Sequence, residues 1–84
     1  MNVMTFAELT KDSVPKLWEQ RNRLFKEKEV SLSRVNIDSA GLAFLVCWSK
    51  QLGNEKKLIL RNASDDVKRL INIFNLSNYF KFDD

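Results

Sequence analysis

Apolar residues in the first third of the chain recur with the spacing of one helical face. The residues on this face are Val14, Leu17, Trp18, Leu24 and Phe25, and charged residues occupy most of the positions between them. Pro15 suits the first turn of a helix, where its missing N–H is not needed. The pattern therefore predicts a first helix that starts between Thr10 and Ser13 and ends near Lys28.

Shorter apolar segments on either side of this helix are typical of β-strands. Val3 to Phe6 precedes it, and Val30 to Leu32, with an irregular continuation from Val35 to Ile37, follows it. A further strand is predicted from Lys57 to Arg61, and its apolar centre indicates a sheet that helices cover on both faces. The tail from Asn75 to Asp84 is expected to pack back as a short strand or turn.

Two more helices are predicted in the second half of the chain. Ser39 is a suitable N-cap for a helix from about Ala40 to Leu52, and Gly53 with Asn54 suits the left-handed stop after it. Ser64 is a suitable cap for a third helix. The clearest amphipathic stripe of the chain lies on this third helix, at Val67, Leu70, Ile71 and Phe74.

The alternation of strands and helices determines the predicted fold class. Strand, helix, strand, helix, strand and helix in this order indicate right-handed crossovers and a largely parallel sheet. With 84 residues, 44% hydrophobic and 30% charged, the chain has room for one small core. We therefore predict one α/β domain over residues 1–84.

The helix predicted from Ala40 is apolar on two nearly opposite faces. One face carries Leu42, Leu45, Val46 and Leu52, and the other carries Ala40, Phe44, Cys47 and Trp48. A helix that is apolar all round is normally buried, and so small a domain has little chain left to cover a second face. Two interpretations stay open: Phe44 and Trp48 dock a protein partner, or they meet aromatic residues of the first helix or the tail.

Composition excludes several kinds of catalysis. The chain has no histidine, so Ser-His and Cys-His catalysis and the common zinc sites are ruled out. Its two glycines, Gly41 and Gly53, do not fit the spacing of the GxxxxGK[ST] loop or of the GxGxxG turn. Cys47 has no partner for an intramolecular disulfide. We therefore expect no enzyme activity, no cofactor and no bound metal.

Charge and hydropathy also weigh against nucleic acid and membranes as partners. The 14 basic residues are interspersed with 11 acidic ones, so the cluster of Arg21, Arg23, Lys26 and Lys28 is better interpreted as a solvated helix face. The longest apolar run, from Ala40 to Trp48, is far short of the roughly 20 residues that span a bilayer. We expect a cytoplasmic protein with no membrane span.

A longer stretch of the sequence resembles a known family. Leu32 to Val35 followed by Ile37 to Leu42 resembles the signature of STAS domains, the fold of anti-sigma-factor antagonists. The strand from Lys57 to Arg61 and the helix from Ser64 to Phe74 follow in the order of that family. Within the family, the stretch from Pro15 to Glu19 makes the chain most similar to the small STAS subunit of the Mla phospholipid-transport ABC complex.

This resemblance implies a function and a binding surface. It implies a non-enzymatic partner of the transporter's ATPase and, through it, of the permease complex, peripheral to the inner membrane and supporting the lipid asymmetry of the outer membrane. In the binding surface, Gly41 would allow close backbone approach by the partner, and Phe44 and Trp48 would be aromatic anchors. The expected partner-binding residues are Asp38, Ser39, Ala40, Gly41, Phe44 and Trp48.

The sequence also departs from the family pattern. Ala40 stands where kinase-regulated antagonists carry the phosphorylated serine, so we expect no phosphorylation of the usual kind. An anti-sigma-factor antagonist in a partner-switching system is the alternative function, and it would have to use Ser39 instead. The link from Val35 to Asp38 is one residue short, and the chain begins where the second strand of the family would be. We therefore expect a sheet without the family's first strand: either the start is misassigned or truncated, or another element covers that sheet edge.

Overall fold

The computed structural model describes residues 4–53 and 56–83. Val3, Asn54 and Asp84, which belong to predicted elements, lie outside these ranges. The strands are β1 (Met4–Thr5), β2 (Glu8–Leu9), β3 (Glu29–Ser31), β4 (Asn36–Ile37), β5 (Leu58–Arg61) and β6 (Phe80–Asp83). The helices are α1 (Val14–Glu19), α2 (Arg21–Leu24), α3 (Ser39–Gln51) and α4 (Asp65–Ile73), and a 3-10 turn at Ser77–Tyr79 precedes β6.

All described strand pairs are parallel. A four-stranded sheet has the order β1-β3-β5-β6, and β2 pairs with β4 in a separate two-stranded sheet. In the larger sheet, Val30 of β3 lies between Met4 of β1 and Leu60 of β5 in register. The predicted α/β class with a parallel sheet is confirmed.

The core lies on one face of the larger sheet. Val30, Leu58 and Leu60 point into it and are fully buried, and all four helices contribute side chains to the same cluster. Ile59, on the other face of β5, is only partly buried. Beside it Arg61 pairs with carboxylates of the two neighbouring strands, at 3.1 Å from Glu29 and 3.3 Å from Asp83. The prediction that helices cover both faces is therefore wrong.

Two of the three predicted helices form close to their expected bounds. α3 begins one residue before Ala40, and Gly53 follows it with a φ of 107°, the left-handed backbone that glycine adopts without a steric penalty. Ser64 caps α4, since its hydroxyl accepts a hydrogen bond from the N–H of Val67 at 3.2 Å. The tail forms β6, as expected.

The first third of the chain departs most from the prediction. The predicted first helix is two short helices that meet at Gln20, and the second ends at Leu24 rather than near Lys28. The segment Glu8–Leu9, for which the sequence predicts no strand, is a strand that pairs with Asn36–Ile37. Pairing between segments far apart in sequence, rather than local periodicity, determines these bounds.

Candidate functional site

Asp38, rather than Ser39, caps the N-terminus of α3. One carboxylate oxygen of Asp38 accepts a hydrogen bond from the N–H of Gly41 at 3.1 Å, and Ser39 is the first residue of the helix. The prediction of a Ser39 cap is wrong for a tertiary reason. The N–H of Asp38 donates to the carbonyl of Leu9 at 3.2 Å, which continues the β2–β4 pairing and keeps Asp38 in the extended backbone that an N-cap requires.

The second carboxylate oxygen of Asp38 holds the loop that precedes α1. It accepts a hydrogen bond from the N–H of Lys11 at 2.9 Å. This bond is the largest cause that lowers the pKa of Asp38; the N–H groups of Gly41 and Ala40 and the charge of Lys11 act in the same direction, against partial desolvation. Both oxygens of Asp38 thus accept hydrogen bonds within the chain, and its carboxylate joins the start of α3 to the loop before α1. Its role in partner binding stays a prediction.

Gly41 is buried against the chain's own backbone. A Cβ at this position would overlap the carbonyl of Leu9 and lie 2.8 Å from Cγ1 of Ile37. The absence of a side chain therefore lets α3 lie directly on β2 and β4. The expectation that Gly41 opens an approach for a partner is wrong, because Leu9 occupies that space.

Phe44 and Trp48 belong to the core. Phe44 is 2% exposed and Trp48 is 0% exposed. Phe25 stacks on the Trp48 ring at 5.6 Å between centroids and lies 5.3 Å from the Phe44 ring, while the indole N–H of Trp48 donates to the carbonyl of Glu27 at 2.9 Å. The prediction that these rings are docking anchors is wrong, and the interpretation that they meet aromatic residues of the first helical segment is confirmed.

A different line of residues is left on the outside of α3. We call it the outer stripe, and it consists of Ser39, Ala43, Val46, Cys47 and Lys50. These positions follow the i, i+4, i+7, i+8 and i+11 spacing of one helical face. Val46 is partly buried and the other four are exposed. Of the expected partner-binding residues, Ser39 is the exposed one, and the adjacent Ala40 is partly buried.

An apolar groove runs between the outer stripe and the end of α4. Its volume is about 280 Å³, and it is lined by Ser39, Leu42, Ala43, Val46, Cys47, Phe74 and Leu76. Phe74 is 49% exposed, although its place in the amphipathic stripe of α4 predicts burial. Ser39 is the one lining residue with a polar side-chain oxygen, so this surface is suited to apolar contact.

The end of α4 places Phe74 and Leu76 beside α3. Asn75 adopts a φ of 58°, and the N–H groups of Leu76 and Asn75 donate to the carbonyls of Ile71 and Asn72 at 2.9 and 3.0 Å. This is a Schellman motif, and asparagine is among the residues that tolerate its left-handed position. Asn75 follows directly after an amphipathic helix. This is the sequence signal that indicates the turn and therefore the side of the groove formed by Phe74 and Leu76.

The inner side of α3 also carries a buried hydroxyl that the sequence does not predict. Ser49 is 4% exposed. Its hydroxyl donates to the carbonyl of Tyr79 and accepts a hydrogen bond from the N–H of Leu58 at 3.2 Å. Ser49 thereby fixes α3 to β5 and to the turn before β6, and so determines how the outer stripe faces away from the sheet.

Over residues 4–53 and 56–83, no group of histidine, cysteine or carboxylate side chains is placed to hold a metal ion. No helix in these ranges is long and apolar enough to cross a membrane. In comparisons with known proteins, no family model, curated protein or solved structure matches the chain.

Proposed function

We propose that this chain is a non-enzymatic STAS-type subunit that binds the ATPase of an ABC transporter for phospholipids. The proposal starts from the similarity of the segments Leu32 to Val35 and Ile37 to Leu42 to the STAS signature. The parallel α/β fold is compatible with it. Through the ATPase, the chain would join the permease complex at the cytoplasmic side of the inner membrane and support the lipid asymmetry of the outer membrane.

The observation that carries the proposal is the exposed apolar surface at the start and along the outside of α3. Ser39 and Ala43 belong to the outer stripe, and Phe74 flanks it across the apolar groove. Contiguous apolar surface beside polar residues is typical of protein interaction sites. The surface lies beside the Asp38–Ser39 segment, where the resemblance to STAS subunits puts the partner, although its anchors are not Phe44 and Trp48.

A pull-down with a transporter ATPase that is encoded next to this chain tests the proposal. The tagged ATPase is co-expressed with the chain, and the amount of chain that co-purifies is measured. Ala43→Glu puts a charge in the middle of the outer stripe, where no core contact is disturbed, and should abolish co-purification. Lys81→Glu, an exposed change on β6, is the control and should have no effect.

Each variant is checked by circular dichroism and urea unfolding, so that loss of binding is separated from loss of folding. If Ala43→Glu is folded and still co-purifies in full, the outer stripe is not the ATPase surface. If the unaltered chain does not co-purify with the ATPase, the proposed function itself is wrong.

The exposed position of Ser39 favours one alternative, an anti-sigma-factor antagonist. Ser39 is the first residue of α3 and is exposed, so a kinase can reach its hydroxyl, and a phosphate there would meet the positive end of the helix. Incubation with a cognate anti-sigma kinase and ATP, followed by intact-mass measurement, tests this alternative. A phosphate-sized mass increase that Ser39→Ala removes would support it over the transporter function.

A further inference from the structure

A second groove lies on the opposite side of the outer stripe from the apolar groove. It runs between the α1–α2 segment and α3 and has a volume of about 640 Å³. Trp18, Phe25 and Cys47 form its apolar lining, and Arg21, Lys26 and Lys50 supply its charge. We call it the basic groove. Trp18 is 40% exposed, an unusual degree of exposure for the largest side chain.

Within residues 4–53 and 56–83, no carboxylate forms an ion pair with the three cations of the basic groove. Among the described residues, no aspartate or glutamate lines the groove. The Arg21 guanidinium instead lies 4.6 Å from the centre of the Trp18 ring and donates to the Trp18 carbonyl at 2.9 Å. Lys50 lies 5.5 Å from the Tyr79 ring. A groove with one sign of charge attracts a ligand of the other sign.

The basic groove and the apolar groove are two parts of one surface. Cys47 lines both of them, and the outer stripe of α3 runs between them. The combined surface is apolar on the side of Phe74 and cationic on the side of Lys26. An occupant that matches both halves has an apolar face beside a row of carboxylates.

We propose that this combined surface binds an acidic amphipathic segment of a protein partner. The apolar side chains of the segment lie in the apolar groove, and its carboxylates pair with Arg21, Lys26 and Lys50. Amphipathic segments commonly bind in grooves of this kind, with charged groups at the rim setting orientation. A concave surface on both sides of a helix fits a polypeptide better than it fits the plane of a membrane. The inference rests on the proposed function only where it assigns the segment to the ATPase.

A peptide titration tests the inference without the ATPase. The probe is a synthetic helical peptide with leucines along one face and glutamates beside them, added to the ¹⁵N-labelled chain. Amide resonances around Trp18, Lys26 and Lys50, and those around Ala43 and Phe74, should shift together. The same peptide with glutamine in place of glutamate should bind at least about tenfold more weakly, because the charge pairs are lost.

Two doubly substituted chains with the same change in net charge sharpen the test. Lys26→Glu with Lys50→Glu should weaken binding of the acidic peptide by more than roughly tenfold. Lys16→Glu with Lys81→Glu alters exposed lysines that do not line the groove and should have a much smaller effect. Equal losses in the two chains would mean that net charge alone drives binding, and would overturn the inference.

Three further outcomes would also overturn it: equal binding of the glutamine peptide, no resonance shifts in the two grooves, or binding of phosphatidylglycerol vesicles in place of the peptide. The last result would assign the surface to a membrane. In the ATPase pull-down, full binding by the Lys26→Glu and Lys50→Glu chain overturns the assignment of the acidic segment to the ATPase and leaves the proposed function intact. If the ATPase does not bind the unaltered chain, the proposed function fails, and the peptide titration still decides the inference.

Discussion

The two sides of α3 differ in the size of their side chains and in their environment. On the inner side, Phe44 and Trp48 lie against Phe25, and neither is more than 2% exposed. On the outer side, Ser39, Ala43 and Cys47 are exposed. The difference in burial follows from the size of the side chains. The large rings gain most from burial and take up the space that the first helical segment provides, while small side chains cost little when left in water. An apolar helix face in a sequence therefore indicates a docking surface only when the rest of the chain cannot cover it.

The largest effect is expected from removing the main ring of the inner side. Trp48→Ala leaves a large cavity and should destabilise the fold by about 3–5 kcal/mol, a large part of the stability of so small a domain. Urea unfolding followed by circular dichroism measures this loss. Trp18→Ala, at a ring that is 40% exposed, is the matched control and should cost less. Equal losses would mean that the partly exposed Trp18 ring contributes as much to the core as the buried Trp48 ring.

Gly41→Ala tests the close contact between α3 and β2. The added methyl overlaps the Leu9 carbonyl, so the helix and strand must separate, and we expect a net loss of about 1–3 kcal/mol in unfolding free energy. This net loss already includes the roughly 1 kcal/mol by which alanine favours a helix over glycine. Ala43→Gly on the outer stripe measures that propensity term alone. A stabilised Gly41→Ala chain would contradict the close packing.

Asp38→Asn tests the contribution of the charged carboxylate that caps the N-terminus of α3, between the inner and outer sides of the helix. Because the fold lowers the pKa of Asp38 below its ordinary value of 3.8, the ionised carboxylate stabilises the folded chain above that value. This stabilisation disappears as the pH falls through the lowered pKa. The asparagine variant should have a lower urea midpoint at pH 7, and the difference should narrow below about pH 4. A difference that does not change with pH would show that the charge contributes nothing.

The smallest effect on stability is expected on the outer stripe. Ala43→Glu should change the unfolding free energy by no more than about 0.5 kcal/mol, as is usual for exposed positions. The same urea experiment measures it, with Lys81→Glu as the exposed control. A loss as large as that for Gly41→Ala would mean that Ala43 contributes to the core and does not belong to the outer stripe.

At the N-terminus of α3, the local sequence predicts the helix but not the residue that caps it. Asp38 and Ser39 are both good N-caps, and the amphipathic pattern starts close enough to either that a helix near Ala40 is predicted correctly. The choice between them depends on the hydrogen bond from Asp38 to Leu9, which is 29 residues away in the chain. Helical periodicity carries no information about such a partner.

The same limit applies to the proposed site. Phe44 and Trp48 stood out in the sequence because they are large, and size is also what placed them in the core. The outer stripe is made of small residues and one lysine, which give no signal of their own. The amphipathic stripe of α4 predicts that Phe74 packs inward, but the left-handed turn at Asn75 ends the helix where this ring reaches the surface of α3.

The sequence by itself determined what depends on neighbours within a few turns: a parallel α/β class, the bounds of α3 and α4, the Ser64 cap and the strand from Leu58. Only the tertiary structure decided which side of α3 is covered, because that depends on Phe25 and Leu9, residues that reach the helix from remote segments. It also decided that one face of the larger sheet stays polar, since the partners of Arg61 lie on two other strands. Local preferences follow from the chain's chemistry, whereas burial depends on long-range contacts.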